Sequence, residues 1–199
     1  MSDLTILVYD LEIKNLIRSS KEPQLPNRTY AYGWGDHKGM GISYLCAYDY
    51  GEGRYRVFDD SNKRDFERLL VDHLLVTFNG KRFDDPVVEA CWEIDMSKND
   101  KYDLMEEIPK RISLDKLATA NLRMSKSGHG KDAPLWYQDG HHASVIDYCL
   151  QDVKVTKDLL ALVCKYGWLL HTNGEKMTVR HPGVKPQTTE DHPDIHTLT

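Results

Sequence analysis

Three groups of acidic residues stand where a folded core would favour apolar side chains, and the first could hold a divalent cation. Asp10 and Glu12 follow the apolar run from Leu4 to Tyr9. If that run is a β-strand, residues two apart project from the same face, so its end carries two carboxylates side by side. Like charges so placed repel unless a cation sits between them, and hard oxygen donors suit Mg²⁺ or Mn²⁺. A strand end is also an ordinary polar loop entrance, and for the pair alone that plainer reading is favoured. The second group is helical. A stripe at helical spacing runs through Val145, Cys149, Thr156, Leu159, Leu160 and Val163, and Asp152 falls inside it. Tyr148 stands one turn earlier, so its hydroxyl and the Asp152 carboxylate can reach a common point. A core tyrosine and a capped aspartate would fit the same spacing. Asp147, Lys154 and Asp158 fall outside the stripe and read as solvated. The third group is Asn79-Gly80-Lys81-Arg82-Phe83-Asp84-Asp85-Pro86, directly after the strand-like Leu74 to Phe78. With Asp85 as helix cap and Pro86 in the first helical position, Asp84 is left to point elsewhere. Otherwise both acids simply favour the helix dipole.

The elements that must position these groups follow from periodicity and punctuation. Leu4 to Asp10 is apolar on both faces, as expected of a strand in the middle of a sheet. Residues 15–39 turn to Ser, Pro, Gly and Lys without a sustained period and read as a long irregular excursion. Ile42 to Tyr48 and Tyr55 to Phe58 flank a glycine turn and form a hairpin, giving a meander with the first strand. A helix from Ser61, the strand Leu74 to Phe78 and a helix from Asp85 to about Ile94 come next. A further helix begins at Ser113, and Arg123 to Gln138 reads as a mobile basic loop. The long helix from about Ala143 to Tyr166 ends at Gly167, Trp168 to Val179 is a hairpin about Asn173-Gly174, and the rest is a polar tail.

Composition sets the frame. The chain has 199 residues, 40% hydrophobic, with 26 Lys+Arg against 31 Asp+Glu for a net charge of −5. This describes one ordinary globular domain, expected over residues 1–180 with a flexible tail over 181–199. Net acidity argues against a protein that grips nucleic acid by charge alone, but a carboxylate site that binds cations carries negative charge of its own. No basic lead precedes the first apolar run and no segment approaches ~20 apolar residues, so neither secretion nor a membrane is expected. Cys46, Cys91, Cys149 and Cys164 lack C-x-x-C spacing and sit among apolar residues, which points to reduced thiols and a cytoplasmic location.

In order and spacing, the three acidic groups resemble the exonuclease motifs of the DEDD superfamily, the ribonuclease H-like 3′-to-5′ exonucleases that include the exonuclease domain of family-B DNA polymerases. Asp10-Leu11-Glu12 is similar to the D-x-E of the first motif, Asn79 to Asp84 to the N-x-x-x-F-D of the second, and Tyr148 to Asp152 to the Y-x-x-x-D of the third. The likeness spans about residues 4 to 165. His142 and Asp147 would satisfy the histidine form of the third motif. Asp147 lies about 140° around the helix from Asp152, however, so it faces solvent if Asp152 faces the core. The tyrosine branch is therefore the better match. Ile13 departs from the Thr usual after the D-x-E of the polymerase domains.

The resemblance implies an α/β ribonuclease H-like three-layer fold, with a mixed sheet and helices on both faces. It implies a nuclease that releases nucleoside 5′-monophosphates from the 3′ ends of single-stranded DNA, with RNA as the alternative substrate. Asp10, Glu12, Asp84 and Asp152 would hold two divalent cations, Mg²⁺ or Mn²⁺, and Tyr148 would orient or deprotonate the attacking water. Leu11, Asn79 and Phe83 would shape the pocket for the terminal nucleotide. Lys81 and Arg82, with Arg123, Lys126 and Lys131, are candidates for holding phosphates. No polymerase or helicase segment is recognised in these residues, and a replication or repair partner is an open expectation. A catalytically silent scaffold with the same fold is the rival, although keeping four acids and the tyrosine without metal would cost stability. Trp34, Trp92, Trp136 and Tyr137 could stack unpaired bases, with packing against the domain the simpler expectation. His129, His141 and His142 offer metal donors without zinc-like spacing.

Overall fold

The computed structural model describes residues 5–19, 23–124 and 132–184. In chain order these form β1 (Thr5–Ile13), β2 (Leu16–Ile17), β3 (Tyr30–Ala31), α1 (His37–Met40), β4 (Ile42–Asp49), β5 (Arg54–Phe58), α2 (Lys63–Leu69), β6 (His73–Thr77), α3 (Asp84–Trp92), β7 (Lys101–Asp103), α4 (Leu104–Glu107), α5 (Leu114–Leu122), α6 (Ala133–Gln138), α7 (His142–Tyr166), β8 (Trp168–Leu170) and β9 (Lys176–Thr178). A five-stranded sheet in the order β5-β4-β1-β6-β7 organises them. β1, β4 and β5 are an antiparallel meander, and β6 and β7 extend the sheet in parallel with β1.

β1 is central because its apolar residues can be covered on both sides. Ile6 and Val8 pack into a core with Cys46, Leu117, Cys149, Val153 and Leu159, which places α5 and α7 on that face. Leu7, Tyr9 and Leu11 pack into a second core with Phe66, Val87, Val88 and Trp92, which places α2 and α3 on the other. Strand alternation thus sorts one run into two layers, and full burial of each large apolar side chain contributes about 1.5–3 kcal/mol. The result is the mixed sheet with helices on both faces that the resemblance implies.

Several boundaries differ from the sequence reading. β1 continues to Ile13 because its ladder with β4 persists through Glu12↔Tyr44 and, after a register shift, to Ile13↔Ile42, so both acids lie within the strand. α3 begins at Asp84 with Phe83 as its cap residue, so Asp85 is not the cap. The excursion over residues 15–39 contains the parallel β2–β3 pair and α1, the latter capped by Asp36. Part of the expected basic loop is α6, which starts with Pro134 in its first turn, where a missing N–H costs nothing. Lys126, His129, Lys131 and residues 185–199 lie outside the described residues. The β8–β9 hairpin closes as read, with Gly174 at φ +82. All four cysteines are free thiols, two of them buried. Among the described residues, no helix is long and apolar enough to cross a membrane.

Candidate active site

The alternation that packs Val8 toward α7 also sends Asp10 and Glu12 that way. There they meet Asp152, buried on the inner face of α7. One carboxylate oxygen from each of Asp10, Glu12 and Asp152 lies within 4.8 Å of the others. At an effective dielectric of ~20, each such pair of full charges repels by about 3 kcal/mol. Three hard oxygen donors converging from two elements fit a divalent cation of the Mg²⁺ or Mn²⁺ class, whose attraction to each carboxylate would offset that repulsion. α7 is fastened to β1 beside the trio, since the Cys149 thiol donates to the Asp10 carbonyl at 3.3 Å. Burial, with Cys46 alongside, pushes the Cys149 thiol well up and keeps it protonated.

Asp84 stands outside this close trio and holds the strand that carries it. β6 pairs with β1 only as far as Val8↔Val76. Beyond that point the Leu11 amide donates to Asp84 Oδ1 at 3.0 Å. Burial first, and the neighbouring Asp85 charge second, push the Asp84 carboxyl up to about 8. Asp85 faces the other way. It accepts a short hydrogen bond from the Tyr9 hydroxyl and an ion pair from Lys101 Nζ at 2.5 Å. Burial and that carboxylate raise the Tyr9 phenol well above its ordinary value. The two adjacent acids therefore brace the start of α3 against β1 through the strand's backbone and its opposite face.

The turn between β6 and α3 is fixed by a residue that the sequence reading missed. Asp103, fully buried at the end of β7, accepts from the Asn79 amide at 2.7 Å, the Lys81 amide at 3.1 Å and the Met105 amide at 3.0 Å. The three-residue strand Lys101-Tyr102-Asp103 is too short to show a period, so only the parallel-sheet topology reveals it. Asn79 takes a left-handed φ of +70, and a Cβ on Gly80 would fall 2.5 Å from the Thr77 side chain. The Asn-Gly pair is thus required by the turn.

The remaining sequence candidates divide. Tyr148 is buried one turn before Asp152, with its ring edge-on to Trp136 at 6.0 Å. Asp147 is exposed, as helix geometry predicts, and His142 packs in an aromatic corner with Tyr44 and Tyr137. α6 is tied to the excursion, because the Gln138 side chain donates to the Lys14 carbonyl at 2.9 Å and accepts from the Thr29 amide at 3.0 Å. The Leu11 side chain is buried in the α3 layer, away from the acids, so its backbone is the part near them. Phe83 is half-buried and meets Trp34 edge-on. Lys81 and Arg82 both turn toward Glu106, at 3.0 Å and 4.0 Å. Arg123 is exposed at the far end of α5, with a left-handed φ. Trp92 is wholly buried in the core.

A family model described as the RNase_H superfamily matches residues 31–164. It takes in Asp84, Tyr148 and Asp152 and begins after β1. Among solved structures, the family B DNA polymerase from the hyperthermophilic archaeon Pyrobaculum calidifontis is similar to this chain with a TM-score of 0.54 and 18% identity. That likeness covers 80% of this chain and 25% of the polymerase, and at such identity it is a likeness of fold. No curated protein matches the chain significantly.

Proposed function

The chain belongs to the ribonuclease H superfamily, and on that footing we propose that it is a metal-dependent 3′-to-5′ exonuclease acting on single-stranded nucleic acid, with DNA as the favoured substrate. The observation that carries this reading is the convergence of Asp10, Glu12 and Asp152 within 4.8 Å at the centre of the fold. These three, completed by Asp84, would hold two divalent cations of the Mg²⁺ or Mn²⁺ class. When bound, such cations activate water and offset charge on the attacking and leaving oxygens of a phosphodiester. Tyr148 would orient the attacking water from its place one turn before Asp152, without serving as a strong base. Asn79 and Phe83 would shape the pocket of the terminal nucleotide. Lys81 and Arg82, which share Glu106, would exchange that partner for a backbone phosphate as substrate arrives. The catalytic unit is assigned to residues 1–180.

Polarity and product are tested together, with oligonucleotides of one sequence in DNA and RNA, labelled at either end. The proposal expects a 5′-labelled strand to shorten stepwise and to release nucleoside 5′-monophosphates with Mg²⁺ or Mn²⁺. Internal cuts or shortening from the 5′ end would overturn it, and faster loss of the RNA strand would reassign the substrate.

A further inference from the structure

Among the described residues, six large apolar side chains are exposed, and three of them, Leu25, Tyr32 and Trp34, lie in the excursion between β1 and α1. Trp34 is the largest and is 70% exposed. Its loop is not slack. The Asp36 side chain accepts from the Tyr32 amide at 2.8 Å and the Gly39 amide at 3.0 Å, and the Asp36 amide donates to the Gly33 carbonyl at 3.1 Å. The backbone is therefore held while the indole that it carries is left in water, between glycines whose missing side chains leave open space. The indole and the Phe83 ring meet in a T-shaped contact with centroids 6.0 Å apart. Phe83 is followed by Asp84, whose carboxylate holds the Leu11 amide between Asp10 and Glu12. Two residues before Trp34 in the chain, Tyr32 is 79% exposed, and the Arg18 guanidinium lies 4.9 Å from its ring centroid. An exposed aromatic ring thus meets the residue that precedes Asp84, with a cation in the same excursion, and unpaired bases with their phosphates are complementary to that combination.

We propose that Trp34 is a stacking platform for an unpaired nucleobase of the strand whose 3′ end enters the acid cluster, with Arg18 and Tyr32 continuing the platform. This rests on the exonuclease reading and names a residue that would set its preference for single strands. A duplex end keeps its bases stacked on one another and has no free face to offer the indole, so the platform selects single strands.

The test measures anisotropy and steady-state cleavage with a labelled single-stranded oligodeoxynucleotide and a blunt hairpin duplex, for the parent, Trp34→Ala, Trp34→Phe and the control Val71→Ala. Val71 is exposed but precedes β6, at the opposite end of that strand from Asn79. Loss of one stacked base predicts about ten-fold weaker single-strand binding and a similar rise in KM for Trp34→Ala, with kcat changed far less. The preference for single strand over hairpin should fall by the same factor, Trp34→Phe should recover most of it, and Val71→Ala should match the parent. Equal affinities of Trp34→Ala and the parent for the single strand would overturn the proposal and assign the exposed ring to a protein partner. A loss in kcat without a change in KM would also overturn it. Cleavage by the parent of the p-nitrophenyl ester of thymidine 5′-monophosphate, which offers no neighbouring base, tests the exonuclease reading separately. If the parent cleaves neither ester nor strand, that reading fails, and the anisotropy comparison still decides the platform.

Discussion

Asp10, Glu12 and Asp152 bring one carboxylate oxygen each within 4.8 Å of the others, and on the proposed function a divalent cation would offset their mutual repulsion. Asp152→Asn removes one charge with almost no change in volume, so cleavage should fall by about 10²-fold or more while circular dichroism stays that of the parent. Retention of more than a tenth of the parent rate would remove Asp152 from the site. Asp84 supports a pH prediction. Its folded-state value of about 8 lies above the ordinary 3.8, so the stability it contributes is fully present below about pH 4 and is lost as the pH rises toward 8. In chelator, Asp84→Asn keeps an oxygen for the Leu11 amide but cannot ionise. Its melting temperature should therefore equal the parent's near pH 4 and exceed it by several degrees at pH 8.5. A gap that does not depend on pH would contradict that assignment.

The β6–α3 turn, with β7 beside it, is the element on which the second acidic group depends. Asp103→Leu would strip three backbone amides of their acceptor at a buried position. It should cost about 2–4 kcal/mol in urea unfolding and lower activity, although Asp103 is not one of the clustered acids. Gly80→Ala forces a Cβ against Thr77 and should cost about 1–3 kcal/mol by the same assay. Unchanged unfolding midpoints would refute either account. These elements also show where the sequence was legible. The long runs that became β1, β4, β6 and α7 carry enough period to be read, and helix geometry correctly separated buried Asp152 from exposed Asp147. β7, α4 and α6, with three, four and six residues, carry too little period to be seen. The cap of α3 was misplaced because Asp85 has the right residue type before a proline, yet its carboxylate is drawn to Tyr9 and Lys101, two partners far away in sequence.

At the scale of the whole molecule, the proposed function has a chain with a net charge of −5 meet a polyanion, and cations at the acid cluster would make the two compatible. Binding to the folded state alone stabilises by mass action. Saturating Mg²⁺ or Mn²⁺ at ~100 times its dissociation constant should raise the melting temperature by roughly 5–10 °C in the parent and by much less in Asp10→Ala. The same layers bring residues far apart in sequence together. The central strand supplies two acids, α7 covers the face to which they point, and α3 secures the strand where β6 stops pairing with it. The measurement that tests the central claim most directly is cleavage of a 5′-labelled single-stranded oligodeoxynucleotide by the parent and by Asp10→Ala, each with Mg²⁺, with Mn²⁺ and with chelator. The account predicts a ladder shortening from the 3′ end in the parent with either cation, and none with chelator or in the variant. A parent that is folded and binds cation yet leaves the strand intact, or a variant that cleaves as fast as the parent, would contradict it.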